Sequence, residues 1–146
     1  DLPHVVDITW PHDGERSINT FLQSPLEVIF DRPVTPATTR GSVWFVVTLE
    51  QPVTDPAETL QIQPVPVKSI SLTGNQATFV PGGGTRAMME YYFDPAEPIL
   101  CRIILKCDFL TDANGLAVDG NHIGGVLPSG NGIQGGIFES WFILNG

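Results

Sequence analysis

Val43-Trp44-Phe45-Val46-Val47-Thr48-Leu49 and Ile99-Leu100-Cys101-Arg102-Ile103-Ile104-Leu105-Lys106-Cys107-Asp108-Phe109 are the two runs whose reading decides the fold. Both are rich in β-branched and aromatic residues, which favour extended backbone. The first is apolar on both parities and bounded by Gly41-Ser42 and Pro52, so it predicts a strand covered on both sides, near the centre of a sheet. The second is the longest strand-like run in the chain. Its two cysteines are six residues apart, and an extended strand separates such Cα atoms by roughly 20 Å. A disulfide needs less than about 7 Å. Cys101 and Cys107 are therefore expected to be free, buried thiols on the face that carries Ile103, Leu105 and Phe109. Metal binding is the alternative, and His4, His12 and His122 supply none of the usual paired ligand spacings.

Outward from these runs, period-two alternation recurs. Leu26, Val28 and Phe30 share a parity between Pro25 and Pro33, and residues 60–63 alternate until Pro64 and Pro66 interrupt them. Residues 67–72 resume as a second short strand or as part of one edge. Residues 77–80 and 88–93 flank Pro81-Gly82-Gly83-Gly84 and predict a hairpin with a wide turn. Asn114-Gly115 predicts a tight turn, with residues 116–118 as a short return strand. In the closing run, Phe138, Ser140, Phe142 and Leu144 share one parity. Residues 124–136 hold six glycines and read as an irregular surface loop before that last strand. Helix is expected only as short turns at residues 36–40 and 55–60, where Thr or Asp stands beside Pro.

Composition agrees with one all-β domain over residues 1–146. Fifteen glycines and 13 prolines are scattered through 146 residues, which leaves no room for a helical bundle. Charged residues make up 16% and the net charge is −9, so a nucleic-acid partner is excluded: two lysines and five arginines, widely dispersed, form no phosphate-tracking stripe. No apolar run is long enough for a membrane span. The opening Asp1-Leu2-Pro3-His4, without Met, is the expected look of a piece trimmed from a longer polypeptide.

Few residue patterns point to chemistry. Asp112, Asn114 and Asp119 around the tight turn invite calcium, yet the spacing departs from an EF-hand, with Ala117 and Ile123 where Gly and Glu belong; a plain hairpin turn is the competing reading. Leu127-Pro128-Ser129-Gly130-Asn131 lacks the flanking glycines of a nucleophile elbow, and no glycine run ends in Gly-Lys-Ser/Thr. The three histidines are expected to be solvated loop residues. Trp10, Trp44 and Trp141 could form a sugar-stacking platform if exposed, or serve as core anchors. No cofactor is expected.

Pro11-His12-Asp13-Gly14, the run Leu26-Glu27-Val28-Ile29-Phe30-Asp31-Arg32-Pro33-Val34, and Leu110-Thr111-Asp112-Ala113-Asn114-Gly115-Leu116-Ala117 resemble the turn and strand signals of bacterial Ig-like domains of the S-layer type. Two departures stand out: Cys101 occupies a place where such domains often carry an aromatic, and the tail from residue 120 is longer than the usual ending. The resemblance implies an Ig-like β-sandwich of about seven to nine antiparallel strands, with the last strand displaced by the glycine-rich loop and returning to the sheet. It also implies a non-catalytic structural or interaction module of a larger secreted or cell-envelope protein. Its partners would be neighbouring domains or surface proteins. The scarcity of lysines that guard strand edges adds weak self-association; carbohydrate binding through exposed tryptophans is the alternative function.

Overall fold

The computed structural model describes residues 1–52 and 60–146. Among them are eleven strands and two α-helices. One sheet of four strands contains β1 (Val5–Ile8), β3 (Leu26–Phe30), β7 (Val67–Thr73) and β8 (Gln76–Pro81), in the order β1-β3-β8-β7. A second of five strands contains β2 (Gly14–Ser17), β5 (Phe45–Gln51), β6 (Gln61–Pro64), β9 (Ile99–Lys106) and β11 (Ile137–Asn145), in the order β2-β11-β9-β5-β6. A two-residue ribbon, β4 (Thr35–Pro36) with β10 (Leu110–Thr111), lies apart from both.

The sheets stack as a sandwich because each strand offers one apolar parity. Phe45, Val47 and Leu49 of β5, Cys101, Ile103 and Leu105 of β9, and Phe138, Phe142 and Leu144 of β11 are all buried. They meet Leu26, Val28 and Phe30 of β3 and Ala77 and Phe79 of β8. The Phe45 and Phe79 rings, one from each sheet, stand 5.5 Å apart. On the outer face of the larger sheet Arg102 joins three strands, bonding Glu50 Oε1 at 2.8 Å and Glu139 Oε1 at 2.7 Å. The chain passes between sheets at Val65-Pro66, where the buried Val65 donates its N–H to the Val47 carbonyl.

Several expectations need correction. The sheets are antiparallel except that β2 runs parallel to β11, from Phe142↔Gly14 to Asn145↔Ser17. The run at residues 43–49 enters its strand only at Phe45, and its second face, Val46 and Thr48, is half-buried and not enclosed. Residues 88–93 are not the return arm of a hairpin: α2 (Thr85–Tyr92) occupies this place. Thr85, Met89 and Phe93, spaced four apart, are the buried positions, so the apolar residues follow the period of a helix. The three glycines supply its entry, with Thr85 Oγ1 donating to the Gly82 carbonyl at 2.7 Å. A second helix, α1 (Ile18–Gln23), lay outside expectation; Ser17 Oγ caps it by accepting the Thr20 N–H at 3.1 Å, and Phe21 is its buried anchor. The helical turn expected at residues 36–40 is replaced by β4 and a 3₁₀ turn at Gly41–Val43. The one expected at residues 55–60 falls almost wholly outside the described residues. Residues 116–118 form only an isolated bridge, Thr111↔Ala117, in place of a return strand. Cys101 and Cys107 are free and buried as expected, and burial pushes the Cys107 thiol up to about 12. Among the described residues no helix is long and apolar enough to cross a membrane.

Phe142 is fully buried on β11 with its ring 6.1 Å from that of Phe21. Phe142→Ala should lower unfolding stability by about 3–5 kcal/mol, read from denaturant melts, because the cavity lies between a helix and two sheets.

Candidate functional site

The glycine-rich segment, residues 120–136, crosses one end of the sandwich and is held by a buried carboxylate. Asp119 is fully buried. Its side chain accepts the N–H of Asn131 at 3.0 Å and that of Gly132 at 2.7 Å. A buried carboxylate needs donors in place of the water it lost, and backbone N–H groups supply them here. Ser129 continues the clamp toward the N-terminal strand: its hydroxyl donates to the Asp119 carbonyl at 2.7 Å and accepts the Val5 N–H at 3.0 Å. His4 Nδ1 then donates to the Ser129 carbonyl at 2.6 Å. Gly130 threads between these groups at φ +133°, and a Cβ there would lie 2.7 Å from Asp119 Oδ2 and 2.8 Å from His4 Nδ1. A shallow cavity of about 310 Å³, lined by Asp1, His4, Asp119 and Gly130 among others, opens beside the clamp. The segment is thus irregular in backbone, as expected, but clamped at its centre.

A second cluster lies where this segment meets β11. Pro11-His12-Asp13-Gly14 forms the expected turn, with the Gly14 N–H donating to the Pro11 carbonyl at 3.0 Å. The turn brings His12 beside Trp141, ring centroids 4.7 Å apart, and beside His122 at 4.5 Å. His122 in turn stacks on Phe138 at 4.3 Å. Ser140, fully buried, accepts the Trp10 indole N–H at 2.8 Å. The indole N–H can only donate, and among the described residues the buried Ser140 hydroxyl has no other acceptor for its own proton than His12 Nδ1 at 2.7 Å, so it donates there and the His12 ring proton sits on Nε2. His122 takes the other tautomer, Nδ1–H donating to the Glu139 carbonyl at 2.9 Å, while its Nε2 is buried without a partner. Burial holds the His12 pKa below its ordinary value; the neighbouring His122 adds to the effect and Asp13 opposes it. All three histidines are therefore part of the packed structure, which corrects the expectation of solvated loop residues.

The remaining candidates are dispersed. Trp10 and Trp44 are 3% and 2% exposed, so they are core anchors and only Trp141 reaches the surface, its Nε1–H tied to Asp13 Oδ1 at 3.1 Å. A platform of three exposed tryptophans does not form. Asp112, Asn114 and Asp119 do not converge on one point. Asp112 Oδ1 accepts the N–H of Asn114 and Leu116 at 2.9 and 3.0 Å, and its Oδ2 faces Arg32 at 3.4 Å. The Leu116 bond leads the causes that hold the Asp112 pKa below the usual carboxylate range. Asn114 is exposed in the turn. Among the described residues no three His, Cys, Asp or Glu side chains come together as a metal-holding group.

Of the residues that organise this end, the sequence singled out Trp10, Trp141 and Asp119 as binding or metal candidates, but gave no such role to Ser129, Ser140 or the histidines. Only the parity of Ser140, shared with Phe138 and Phe142, signalled a polar group inside the core that must find partners. No family model, no curated protein and no solved structure matches the chain.

Gly130→Ala should destabilise the fold by more than about 1 kcal/mol in thermal melts, since it meets both strain and collision. Because His12 binds its proton less readily folded than unfolded, its contribution is complete above the ordinary histidine value of about 6.5 and is lost as pH falls through and below it. The stability difference between the parent chain and His12→Gln should therefore shrink between pH 7.5 and pH 5, as measured by urea unfolding at each pH.

Proposed function

We propose that the chain is a non-catalytic, Ig-like interaction module of a larger secreted or cell-envelope protein, and that residues 120–137 are its contact surface. The order of the strands supports the Ig-like reading. With strands lettered in chain order, Ig sandwiches set A, B, E and D in one sheet and C, F and G in the other, and variable-type members add a strand beside C. Here β1, β3, β8 and β7 follow the first order and β5, β9 and β11 the second, with β6 beside β5. The resemblance of the turn motifs to S-layer-type Ig-like domains points the same way.

The observation that carries the functional reading is the clamped, uncharged lobe at the end of this scaffold. Between Asp119 and Glu139 no Asp, Glu, Lys or Arg occurs, although the chain as a whole carries −9. Ile123, Val126 and Ile133 are 60%, 64% and 66% exposed there. Binding residues on loops held by a rigid scaffold are the common arrangement in sandwich folds. A catalytic role finds no support in the nucleophiles at this end and in the core. The Ser129 and Ser140 hydroxyls are buried and committed to hydrogen bonds, and burial raises both thiols well above the range where a thiolate forms.

Hydroxyl-radical footprinting tests the proposal. Ile123, Val126 and Ile133 should be labelled strongly in the isolated chain and protected in the intact parent polypeptide or envelope fraction; equal labelling in both would count against it.

A further inference from the structure

We propose that two copies of the chain pair through the outer edge of β7, antiparallel and about a two-fold axis at Ser71. This goes beyond the reading above and does not need the glycine-rich lobe. Each sheet has two edge strands, and three of the four edges carry the usual devices against pairing. β1 has a bulge between Val5 and Asp7, a charge at Asp7, and a flank already bonded to Ser129. β2 carries Glu15 and Arg16 on four residues, and β6 ends at Pro64. β7 is the longest of the four, at seven residues, and among the described residues its only strand partner is β8. Its bulge and its single charge, Lys68, both lie at its beginning.

From Ser69 to Thr73 the edge has no charge, no proline and no bulge, and among the described residues its backbone makes no bond outside the pairing with β8. Such an edge is a template for another strand.

The sequence of this edge selects its own copy as that strand. With the axis at Ser71, Ser69 of one copy opposes Thr73 of the other, and Ile70 opposes Leu72. The hydroxyl pair falls on the exposed parity, while Ile70 and Leu72 are the half-buried positions, so their pairing continues the apolar layer from one molecule into the next. Lys68 meets the neutral Gly74, and no like charges face each other. The absence of ionised side chains from residue 69 to residue 85 lets two chains of net charge −9 approach here. The contact is isologous and closes at a dimer.

Sedimentation equilibrium from micromolar to millimolar chain tests the pairing. The parent chain should move from monomer to dimer. Ser71→Lys, at an exposed position where the fold need not change, should stay monomeric with an unaltered melting temperature, because it sets two ammonium groups face to face. An equimolar mixture of Ser71→Lys and Ser71→Asp should recover the dimer. Ile133→Ser, in the lobe, should dimerise as the parent does. A parent chain that remains monomeric throughout overturns the proposal. So does a dimer that survives Ser71→Lys, or one lost in Ile133→Ser; the last result would move the contact to the lobe.

Discussion

The structure depends on the pairing of β11 with β9, eight residues deep, from Ile137↔Lys106 to Leu144↔Ile99. Side chains alternate with a period of two, so a slip of one residue would turn Phe138, Phe142 and Leu144 to solvent and leave the core without one wall. The register also fixes the start of the chain. β2 adds in parallel to the other side of β11, and Asp13 donates its N–H to the Trp141 carbonyl at 2.7 Å, so the turn bearing His12 is set in place by the last strand. β2 and the turn before it are thus built on β11. The glycine-rich segment is the connection that lets this strand reach its place from the Asp112–Asp119 turn.

That arrangement brings polar groups into the interior, and among the described residues all but His122 Nε2 are met by a specific partner. Ser140 lies on the buried parity of β11 and satisfies both Trp10 and His12. Asp119, fully buried, is surrounded by N–H donors from the segment it clamps. An unmet donor or acceptor at such depth costs roughly 1–3 kcal/mol, and more for a charge. The polar groups therefore specify one path for residues 120–136 where apolar packing alone would tolerate many. Glycine serves this path by close approach, as at Gly130, and not by mobility. The two histidines follow the same logic at one nitrogen each: His12 Nδ1 meets the Ser140 hydroxyl and His122 Nδ1 meets the Glu139 carbonyl.

The sandwich was legible because its strands bury one face. The parities of Leu26, Val28 and Phe30, of Cys101, Ile103 and Leu105, and of Phe138, Phe142 and Leu144 translate directly into the core. Helix α2 was not, because residues 88–93 are apolar or aromatic at every position but Glu90 and fit either period; what decided it was the glycine entry and the four-residue spacing of Thr85, Met89 and Phe93. The site was legible only in part. Trp141 and Asp119 were visible as residue types, but Trp141 is tied to Asp13 at the other end of the sequence, Asp119 holds the N–H groups of an irregular loop, and the groups around them meet across the whole sequence, as Trp10 does Ser140 and Val5 does Ser129. Spacing along the chain carries no information about such contacts. Glycine content likewise marks where backbone freedom is needed without saying whether a segment moves or is clamped.

Charge placement ties the two proposed association surfaces to the fold. Arg32 sits among Asp1, Asp31 and Asp112, and Arg102 between Glu50 and Glu139, so these cations neutralise local carboxylate clusters and leave the net charge of the chain negative. Two stretches escape that surplus, residues 120–138 and residues 69–85, both free of Asp, Glu, Lys and Arg. Repulsion between exposed charges fades over roughly 8 Å in physiological salt, so a surface without them can be approached where a carboxylate-bearing one resists. Contact at the two proposed surfaces would then be decided by backbone hydrogen bonding along β7 and by apolar burial at Ile123, Val126 and Ile133. Both persist in salt, whereas an ion-paired interface weakens as ionic strength rises.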